Sequence, residues 1–482
     1  MINLLSKRDQ RIVQILDYLV DTRKTSLQAL SKGSNVPERT LWGDIKRINE
    51  MCEPTQIVST SEGVELYIPS EYNERYLFDK ILEESVELRV LEDIFLQKVW
   101  SIGGLAERLF LSEVTVRRLI QQINKGLEKF NIQISSNPLE IKGDTKAIIQ
   151  LFTIFFLEKY NRVNLFMKPE EIEAVELLLH SIELTNKLIQ NNQDFNLVLL
   201  RFYVRLKYYI GSPQDTVEEE ITDYVNDFDA VNQKFRSAFG IKLTPSIVHF
   251  CIPYLFDKTS IALTAKELES LLVDDKEKEI YDKVVELLQR FTQTTGMEFT
   301  SYDELVVTLF DVMKEANKTP YIVYDRDRHF VTHLELYNPI LVKQMIDVYD
   351  SLFSDKKYQV MKYNVLYIFI THWEGLMTLF KKRDREIDVA IFFDSDIEHA
   401  LFAKEVLGHE FGEHIHFEVL DCRTYEELYR DLDRFEVLIT NKPGLRYTGC
   451  DILCLDEFFL DESWTDLRKK LVQAESALLS QG

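Results

Sequence analysis

Residues 111–124 read LSEVTVRRLIQQIN, and residues 36–49 read VPERTLWGDIKRIN. The two stretches align without a gap at an offset of 75 positions. Identical pairs include Thr40 with Thr115, Ile45 with Ile120, Ile48 with Ile123, and Asn49 with Asn124. Both stretches space their apolar residues along one helical stripe, which predicts an amphipathic helix in each. The chain therefore carries one helix pattern twice near its start, in a first and a second copy.

The residues around each predicted helix also repeat. A longer helix and a short helix precede it, over 7–20 and 26–33 in the first copy and over 71–98 and 102–110 in the second. In each copy, two alternating apolar runs follow this helix and predict a β-hairpin. The hairpin sequence is QIVSTSEGVELYI in the first copy and FNIQISSNPLEIKG in the second. The ungapped register extends into the hairpins, where Ile57 aligns with Ile132 and Glu65 with Glu140. Three helices followed by a hairpin predict a winged helix-turn-helix in each copy.

The last helix of each copy is expected to lie in the major groove of DNA, with its early residues against base edges. Arginine and glutamine can each pair with a base through two hydrogen bonds, whereas lysine mostly meets phosphate. The predicted DNA-contacting residues are Arg39, Thr40, Trp42, Lys46, Arg47, Thr115, Arg117, Arg118, Gln121 and Gln122. The second copy is the better expected base reader, because Asp44 of the first would repel phosphate if it faced outward. A helical bundle that binds protein, or that serves only in packing, is the alternative interpretation.

Charge is unevenly distributed along the chain. The formal net charge is −23, but residues 1–145 hold 19 Lys/Arg and 22 Asp/Glu, a balance of only −3. Polyanion binding depends on the local field at a surface, so a nucleic-acid site is expected in this third of the chain. No apolar run reaches the ~18–20 residues of a membrane span, and the first residues lack a signal-peptide pattern. A soluble cytoplasmic protein without membrane contact is expected.

Helical periodicity dominates residues 146–382, with proline-containing breaks that indicate two helical units. A long loop is predicted over 319–339, before the last two helices of the second unit. The chain contains no HExxH, GxSxG, P-loop or GxGxxG motif, and its five cysteines lack metal-ligand spacing. We therefore expect no enzyme activity, no cofactor and no metal. Each histidine of this region is either a packed helix residue or a phosphate acceptor.

From Ile387 the pattern changes to alternating strands and helices, which predicts a small parallel α/β unit. Its predicted strands are IDVAIFF, HIHFEVLDC, FEVLIT and DILCLD, and its closing helix is SWTDLRKKLVQAESALL. The loop after the first strand holds Asp394, Ser395 and Asp396, with neither a glycine cradle nor a cysteine. Since aspartates repel phosphate, a structural or dimerisation role is expected for this unit rather than catalysis.

The order of these parts, together with the strings PERTLWGDIKRIN and LSEVTVRRLIQQIN, resembles the Mga family of Gram-positive virulence regulators, and the anthrax toxin activator has a similar plan. The resemblance implies five domains: winged helix-turn-helix units at 1–69 and 70–145, PTS-regulation-like helical domains at 146–272 and 273–384, and an enzyme IIB-like α/β domain at 385–482. It also implies a homodimer or higher oligomer through the C-terminal half. Phosphotransferase-system phosphocarrier proteins are implied partners, and the candidate acceptors are His180, His249, His333 and His372.

The expected function is that of a transcriptional activator that binds double-stranded promoter DNA and responds to histidine phosphorylation. The expected fold class is multidomain and mainly α. Two alternatives stay open at this point. PTS-regulation domains also occur in RNA-binding antiterminators, and a phosphotransferase component is the enzymatic alternative. The missing cysteine in the loop after the first C-terminal strand argues against the second.

Overall fold

A computed structural model gives the fold of most of the chain. It describes residues 2–160, 166–182, 192–211, 228–253, 264–295, 298–299, 301–314, 323–337, 339–373, 376, 387–394, 396–411, 415–422 and 424–454. The described residues are mainly helical and divide into two compact units. The first unit is Met1–Ile280 with Phe310–His329, and the second is Tyr281–Leu309 with Phe330–Gly482.

The first copy folds as three helices and a hairpin, as predicted. These elements are α1 (Lys7–Thr22), α2 (Leu27–Ser34), α3 (Glu38–Met51), β2 (Gln56–Thr60) and β3 (Gly63–Tyr67). A short strand, β1 (Lys24–Thr25), pairs antiparallel with β3 and completes a sheet of order β1-β3-β2. Ser6 and Ser26 cap α1 and α2 by accepting hydrogen bonds from backbone amides three residues on. Serine caps thus define where these helices begin.

The second copy has one more helix than predicted. Its elements are α4 (Glu74–Glu84), α5 (Val86–Phe95), α6 (Ile102–Leu109), α7 (Glu113–Leu127), β4 (Ile132–Ser136) and β5 (Leu139–Gly143). The prediction of a single helix over 71–98 is wrong because Ser85 adopts an extended conformation, with φ −62° and ψ 117°. The Ser85 hydroxyl accepts a hydrogen bond from the amide of Leu88 and caps α5. A serine that ends one helix begins the next.

An asparagine joins the long helix to the hairpin in both copies. Asn49 donates to the carbonyl of Ile57 at 3.0 Å and accepts from its amide at 2.8 Å. Asn124 makes the same pair of bonds to Ile134, at 3.0 and 2.7 Å. Ile134, not Ile132, is therefore the structural equivalent of Ile57, and the ungapped register is wrong in the first strand of the hairpin. The register holds in the second strand, because Glu65 pairs with the residue after Ile57 and Glu140 pairs with the residue after Ile134. The reason for the shift in the first strand is the 3₁₀ turn Glu128–Phe130, which follows α7 and belongs to a connection two residues longer than in the first copy.

Helices continue through the middle of the chain. They are α8 (Thr145–Lys159), α9 (Pro169–Ser181), α10 (Asn192–Gly211), α11 (Phe228–Phe239), α12 (Pro245–Cys251), α13 (Ala265–Leu271), α14 (Asp275–Thr295), α15 (Tyr302–Lys314), α16 (Arg326–Tyr337), α17 (Pro339–Leu352), α18 (Lys356–Gln359) and α19 (Lys362–Thr371). The long loop predicted over 319–339 is wrong over 326–337, where α16 lies, and its residues 319–322 and 338 lie outside the described residues. Asp325 starts this helix by accepting from the amide of Arg328 at 3.0 Å. Because the sequence of α16 is largely polar, it lacks a clear helical repeat of apolar residues.

The buried residues of both copies form part of one hydrophobic core. In the first unit, the buried residues from Leu4 to Ile252, together with Val323, form a continuous apolar cluster. This cluster includes the stripes of α1, α3, α5 and α7 and the phenylalanines of α8. Burial of such area is the main force that holds these helices together. The five-domain division stays a prediction, because the apolar core of this unit runs across its first three boundaries.

The C-terminal part contains a four-stranded parallel sheet of order β7-β6-β8-β9. Its elements are β6 (Ile387–Phe392), α20 (Ile397–Phe411), β7 (Ile415–Val419), α21 (Tyr425–Asp431), β8 (Val437–Thr440) and β9 (Asp451–Cys454). All four residues of β8 are buried, as expected for a strand inside a parallel sheet. In the loop after β6, Asp394 pairs with Lys442 at 3.1 Å, and Asp396 accepts from the amide of His399 at 2.7 Å. Ser395 and the predicted closing helix lie outside the described residues.

None of the helices within the described ranges combines the length and hydropathy that a membrane crossing requires.

Candidate nucleic-acid interface

Helix α7 presents one buried face and one exposed face. Val116, Ile120 and Ile123 are buried against the core of the second copy. Ser112 caps the helix by accepting from the amide of Thr115 at 3.1 Å, so the start of α7 is fixed. The short helix α6 precedes α7 and packs against it. This arrangement is the brace and the recognition helix of a helix-turn-helix.

The predicted DNA-contacting residues of α7 fall mostly on its exposed face. Thr115, Arg117, Arg118 and Gln121 are exposed. The Arg117 guanidinium lies 3.4 Å from the Glu113 carboxylate, one turn earlier on the same helix. An exposed pair of this kind is weak and leaves the guanidinium free to change partners. These side chains can therefore offer bidentate and amide donors to a ligand in front of the helix.

Gln122 differs from these four residues. It is half-buried, and its amide nitrogen lies 3.2 Å from the carbonyl of Leu5 and 3.3 Å from the carboxylate of Glu87. Glu87 is itself buried, and that burial raises the pKa of its carboxyl above the ordinary value. Gln122 thus joins α7 to the N-terminal segment and to α5. Its side chain is committed to the protein rather than to the surface.

Helix α3 carries the corresponding residues of the first copy. Arg39 and Lys46 are exposed, and Trp42 is 50 % exposed. Thr40 is half-buried and its hydroxyl donates to the carbonyl of Pro37 at 2.8 Å. Arg47 forms an ion pair with Glu84 of α4. Helix α3 therefore presents the cations Arg39 and Lys46 and an indole at its surface, while Thr40 and Arg47 lie at the margin.

Asp44 faces the interior of the first copy. It is 3 % exposed, and its two carboxylate oxygens accept from Arg11 of α1 at 2.7 and 3.0 Å. Two parallel hydrogen bonds of this kind are the strong form of an arginine–carboxylate pair. Asp44 therefore does not face outward, which was the condition for it to repel phosphate. The acid instead holds α3 against α1.

The two copies contact each other directly. The 3₁₀ turn Ile2–Leu4 packs on α7, and a Cβ atom added to Gly126 would lie 2.8 Å from the carbonyl oxygen of Asn3. Real side chains do not approach a backbone oxygen so closely, so the glycine is needed for this packing. With the hydrogen bond from Gln122 to Leu5, this contact fixes the second recognition helix to the start of the first copy.

Sequence patterns do not reveal two exposed apolar residues beside the predicted contact set. Phe110 is 95 % exposed and lies in the turn between α6 and α7, with a left-handed φ of 56°. Val114 is 60 % exposed and is the second residue of α7. The available signal is their alignment with Asn35 and Arg39 of the first copy, where both residues are polar.

The four candidate phosphate acceptors lie on four different helices. His180 is exposed near the end of α9, and His249 is half-buried in α12. His333 is half-buried in α16, and His372 caps the end of α19 with Nδ1 3.0 Å from the carbonyl of Ile368. Within the part of the chain that the structure describes, no three or more His, Cys, Asp or Glu residues are placed to hold a metal ion.

Known proteins match this chain in the same region and along most of its length. The family model of the Mga helix-turn-helix domain matches residues 73–156, which span the second copy and most of α8. A trans-acting regulator of Streptococcus pneumoniae is 20% identical over 462 residues, 92% of this chain and 93% of the relative. The anthrax toxin expression trans-acting positive regulator of Bacillus anthracis is 21% identical over 415 residues, 80% and 82% of the two chains. The capsule synthesis positive regulator AcpB of Bacillus anthracis is 22% identical over 336 residues, 65% and 67%.

Proposed function

We propose, from the premise that the chain belongs to the Mga family of virulence transcriptional regulators, that it activates transcription by binding promoter DNA through both copies. Two of the relatives above carry names of positive regulators, and the matched domain is a helix-turn-helix. The observation that carries the proposal is the exposed face of α7. It presents Arg117, Arg118 and Gln121 on a capped and well-braced helix.

The proposed domain division follows the prediction from sequence. Each copy is a winged helix-turn-helix, because a hairpin follows its recognition helix and an asparagine joins the two. The helical regions at 146–272 and 273–384 are PTS-regulation-like domains. The region at 385–482 is enzyme IIB-like, which its parallel sheet supports.

The proposed DNA-contacting set consists of the residues whose side chains face solvent. Its members are Arg39, Trp42, Lys46, Thr115, Arg117, Arg118 and Gln121, with Thr40 and Arg47 at the margin. We leave Gln122 out of the set, because its amide bonds to Leu5 and Glu87. An acidic body does not oppose this role, since residues 1–145 carry a balance of only −3 (19 Lys/Arg against 22 Asp/Glu).

The test is a salt titration of DNA binding with single arginine variants. Duplexes are first selected from a random library with the full chain. Arg117→Ala and Arg118→Ala are then compared with wild type, and Arg446→Ala in the C-terminal part is the matched control. An arginine that meets phosphate should reduce the slope of log affinity against log salt by about 1. One that pairs with guanine should cost about 1–3 kcal/mol at one base position.

Two results would contradict the proposal. If the full chain selects no duplex above a scrambled competitor, it does not act by reading DNA. If both arginine variants bind like Arg446→Ala at every salt concentration, α7 is not the recognition helix. Tighter binding to an RNA hairpin than to any duplex would favour the antiterminator alternative instead.

Regulation is proposed to act through histidine phosphorylation and association of the C-terminal half. A phosphoryl group adds close to two negative charges and can shift a helix interface between two states. His180 is exposed, so it is the first acceptor to test. Mass spectrometry after incubation with phosphotransferase proteins should find phosphate on His180, His249, His333 or His372. Light scattering of the same samples would show whether the oligomer changes, and an unmodified chain would overturn this part.

A further inference from the structure

Phe110 and Val114 place apolar side chains in solvent at the N-terminal end of α7. Phe110 is 95 % exposed and Val114 is 60 % exposed, four residues apart. At the aligned positions of the first copy stand Asn35, which has the same left-handed conformation (φ 55°), and Arg39. The two copies therefore share a scaffold here but differ in the chemistry that they present.

Protein stability does not explain either residue. Asparagine tolerates a left-handed conformation, whereas a phenylalanine in that conformation is strained and, being exposed, gains no burial in return. Valine is β-branched and a poor helix former, and in an exposed first turn it too contributes little. Unfavourable local choices of this kind point to a ligand that covers the residues in the functional state.

The position of Val114 indicates what that ligand is. Residues 114, 117, 118 and 121 are three, four and seven positions apart, so Val114 lies on one helical face with Arg117, Arg118 and Gln121. In a helix-turn-helix the early residues of this helix meet base edges. The only apolar group on the major-groove edge of a base pair is the C5-methyl group of thymine, and apolar side chains contact it.

We infer that the second copy recognises thymine methyl groups through Val114, with Phe110 covering the adjacent edge of the site, and that the first copy does not. This inference rests on the proposed function. It adds to that function a base preference: thymine beside the positions that the arginines contact. In the first copy, Arg39 stands at the position of Val114, and its guanidinium suits guanine or phosphate instead.

The experiment removes the methyl group from DNA without changing base pairing. A duplex selected by the full wild-type chain is synthesised with each thymidine replaced singly by deoxyuridine, and the affinities are compared. At one or two positions, wild type should prefer thymidine by about fourfold, the effect expected for burial of one methyl-sized group. Val114→Ser and Phe110→Asn should reduce that preference to about onefold. Val273→Ser is the matched control, since Val273 is 94 % exposed in the loop between α13 and α14, and it should keep the preference.

The outcomes separate the inference from the proposed function. Selection of no duplex overturns the proposed function. Binding of a selected duplex with equal affinity for thymidine and deoxyuridine at every position overturns only the methyl contact. A preference that persists in both Val114→Ser and Phe110→Asn also overturns it, because another residue then reads the methyl group. If the Tm of neither variant falls below that of wild type, the lost preference is not a loss of folding.

Discussion

The Nδ1 atom of His329 lies 2.7 Å from the carboxylate of Asp21, although the two residues are 308 positions apart. His329 is 2 % exposed and its Nε2 lies 3.0 Å from Asp17, also on α1. Arg328 reinforces the contact with ion pairs to Asp17 at 2.7 Å and to Asp21 at 2.9 Å. The ring of Tyr324 stacks on the imidazole at 5.2 Å. The first helix of the first copy is therefore held by residues just before and within the start of α16.

This histidine should make stability depend on pH. Burial by itself would lower the pKa of His329, but hydrogen bonds to Asp17 and Asp21 outweigh burial and raise it above the ordinary value. Below about pH 6.5 the protonated His329 contributes its full stabilisation to the free energy of unfolding. That contribution is lost as the pH rises through the raised pKa of His329. Calorimetry from pH 5.5 to 9 should show the Tm advantage of wild type over His329→Gln shrinking as the pH rises.

The matched control for this measurement is His180→Gln, because His180 is exposed. Its Tm should follow wild type at every pH. At the acid end, burial opposes the charge of Asp21, but its bonds to His329 and Arg328 lower its pKa. The stabilisation from ionised Asp21 is fully present above the ordinary aspartate pKa, and it is lost as the pH falls through the lowered pKa of Asp21. A Tm difference between wild type and His329→Gln that stays constant from pH 5.5 to 9 would contradict the charged contact.

Gly126→Ala should destabilise the contact between the two copies. A new Cβ atom would lie 2.8 Å from the carbonyl oxygen of Asn3, and backbone cannot move aside as a flexible side chain can. We expect a loss of about 1–3 kcal/mol in the free energy of unfolding, as for other overpacked sites. The control is Gly43→Ala in α3, where nothing lies within 4 Å of the new atom. That change should stabilise by about 0.5–1 kcal/mol through helix propensity, and equal effects of the two changes would rule out the close approach.

The asparagine of each recognition helix should be required to hold its hairpin. Asn124→Ala leaves the amide and carbonyl of Ile134 without their side-chain partners, and Asn49→Ala does the same at Ile57. Each change should cost about 1–3 kcal/mol. Hydrogen exchange of the Ile134 amide should accelerate in Asn124→Ala but not in Gln133→Ala, which alters an exposed strand residue. Unchanged protection in Asn124→Ala would contradict the role assigned to this bond.

Asp44→Asn distinguishes a structural acid from one that repels DNA. Removing the charge leaves Arg11 without its carboxylate partner, so the free energy of unfolding should fall by about 1–3 kcal/mol. A loss near the lower end of this range is expected, because Arg11 is partly exposed and water screens its charge. Because Asp44 faces α1, DNA affinity should not rise. Glu50→Gln, which alters an exposed acid on the same helix, should leave stability unchanged. Tighter DNA binding by Asp44→Asn would show that its charge reaches the interface.

Sequence alone determined the short helix and the recognition helix of each copy, although it did not reveal the break at Ser85 in the helix before them. Val116, Ile120 and Ile123 recur at helical spacing, and a residue's position along a helix is a local property that short stretches carry. Cap residues such as Ser26 and Ser112 are equally local, so the helix starts could be located to within a few residues. The parallel strands of the C-terminal part were predictable for the same reason, since β8 is a short apolar run.

Tertiary structure alone decided which polar side chains are available to a partner. Asp44 and Gln122 stand on recognition helices in sequence, but Arg11 and Leu5 draw them into the protein. A turn of three residues after α7 shifted the first strand of the hairpin, and a histidine in a polar stretch paired with an aspartate 308 positions away. Periodicity reports only the face on which a residue lies. Whether that face meets solvent, DNA or another part of the chain depends on contacts between segments far apart in sequence, which only the folded chain brings together.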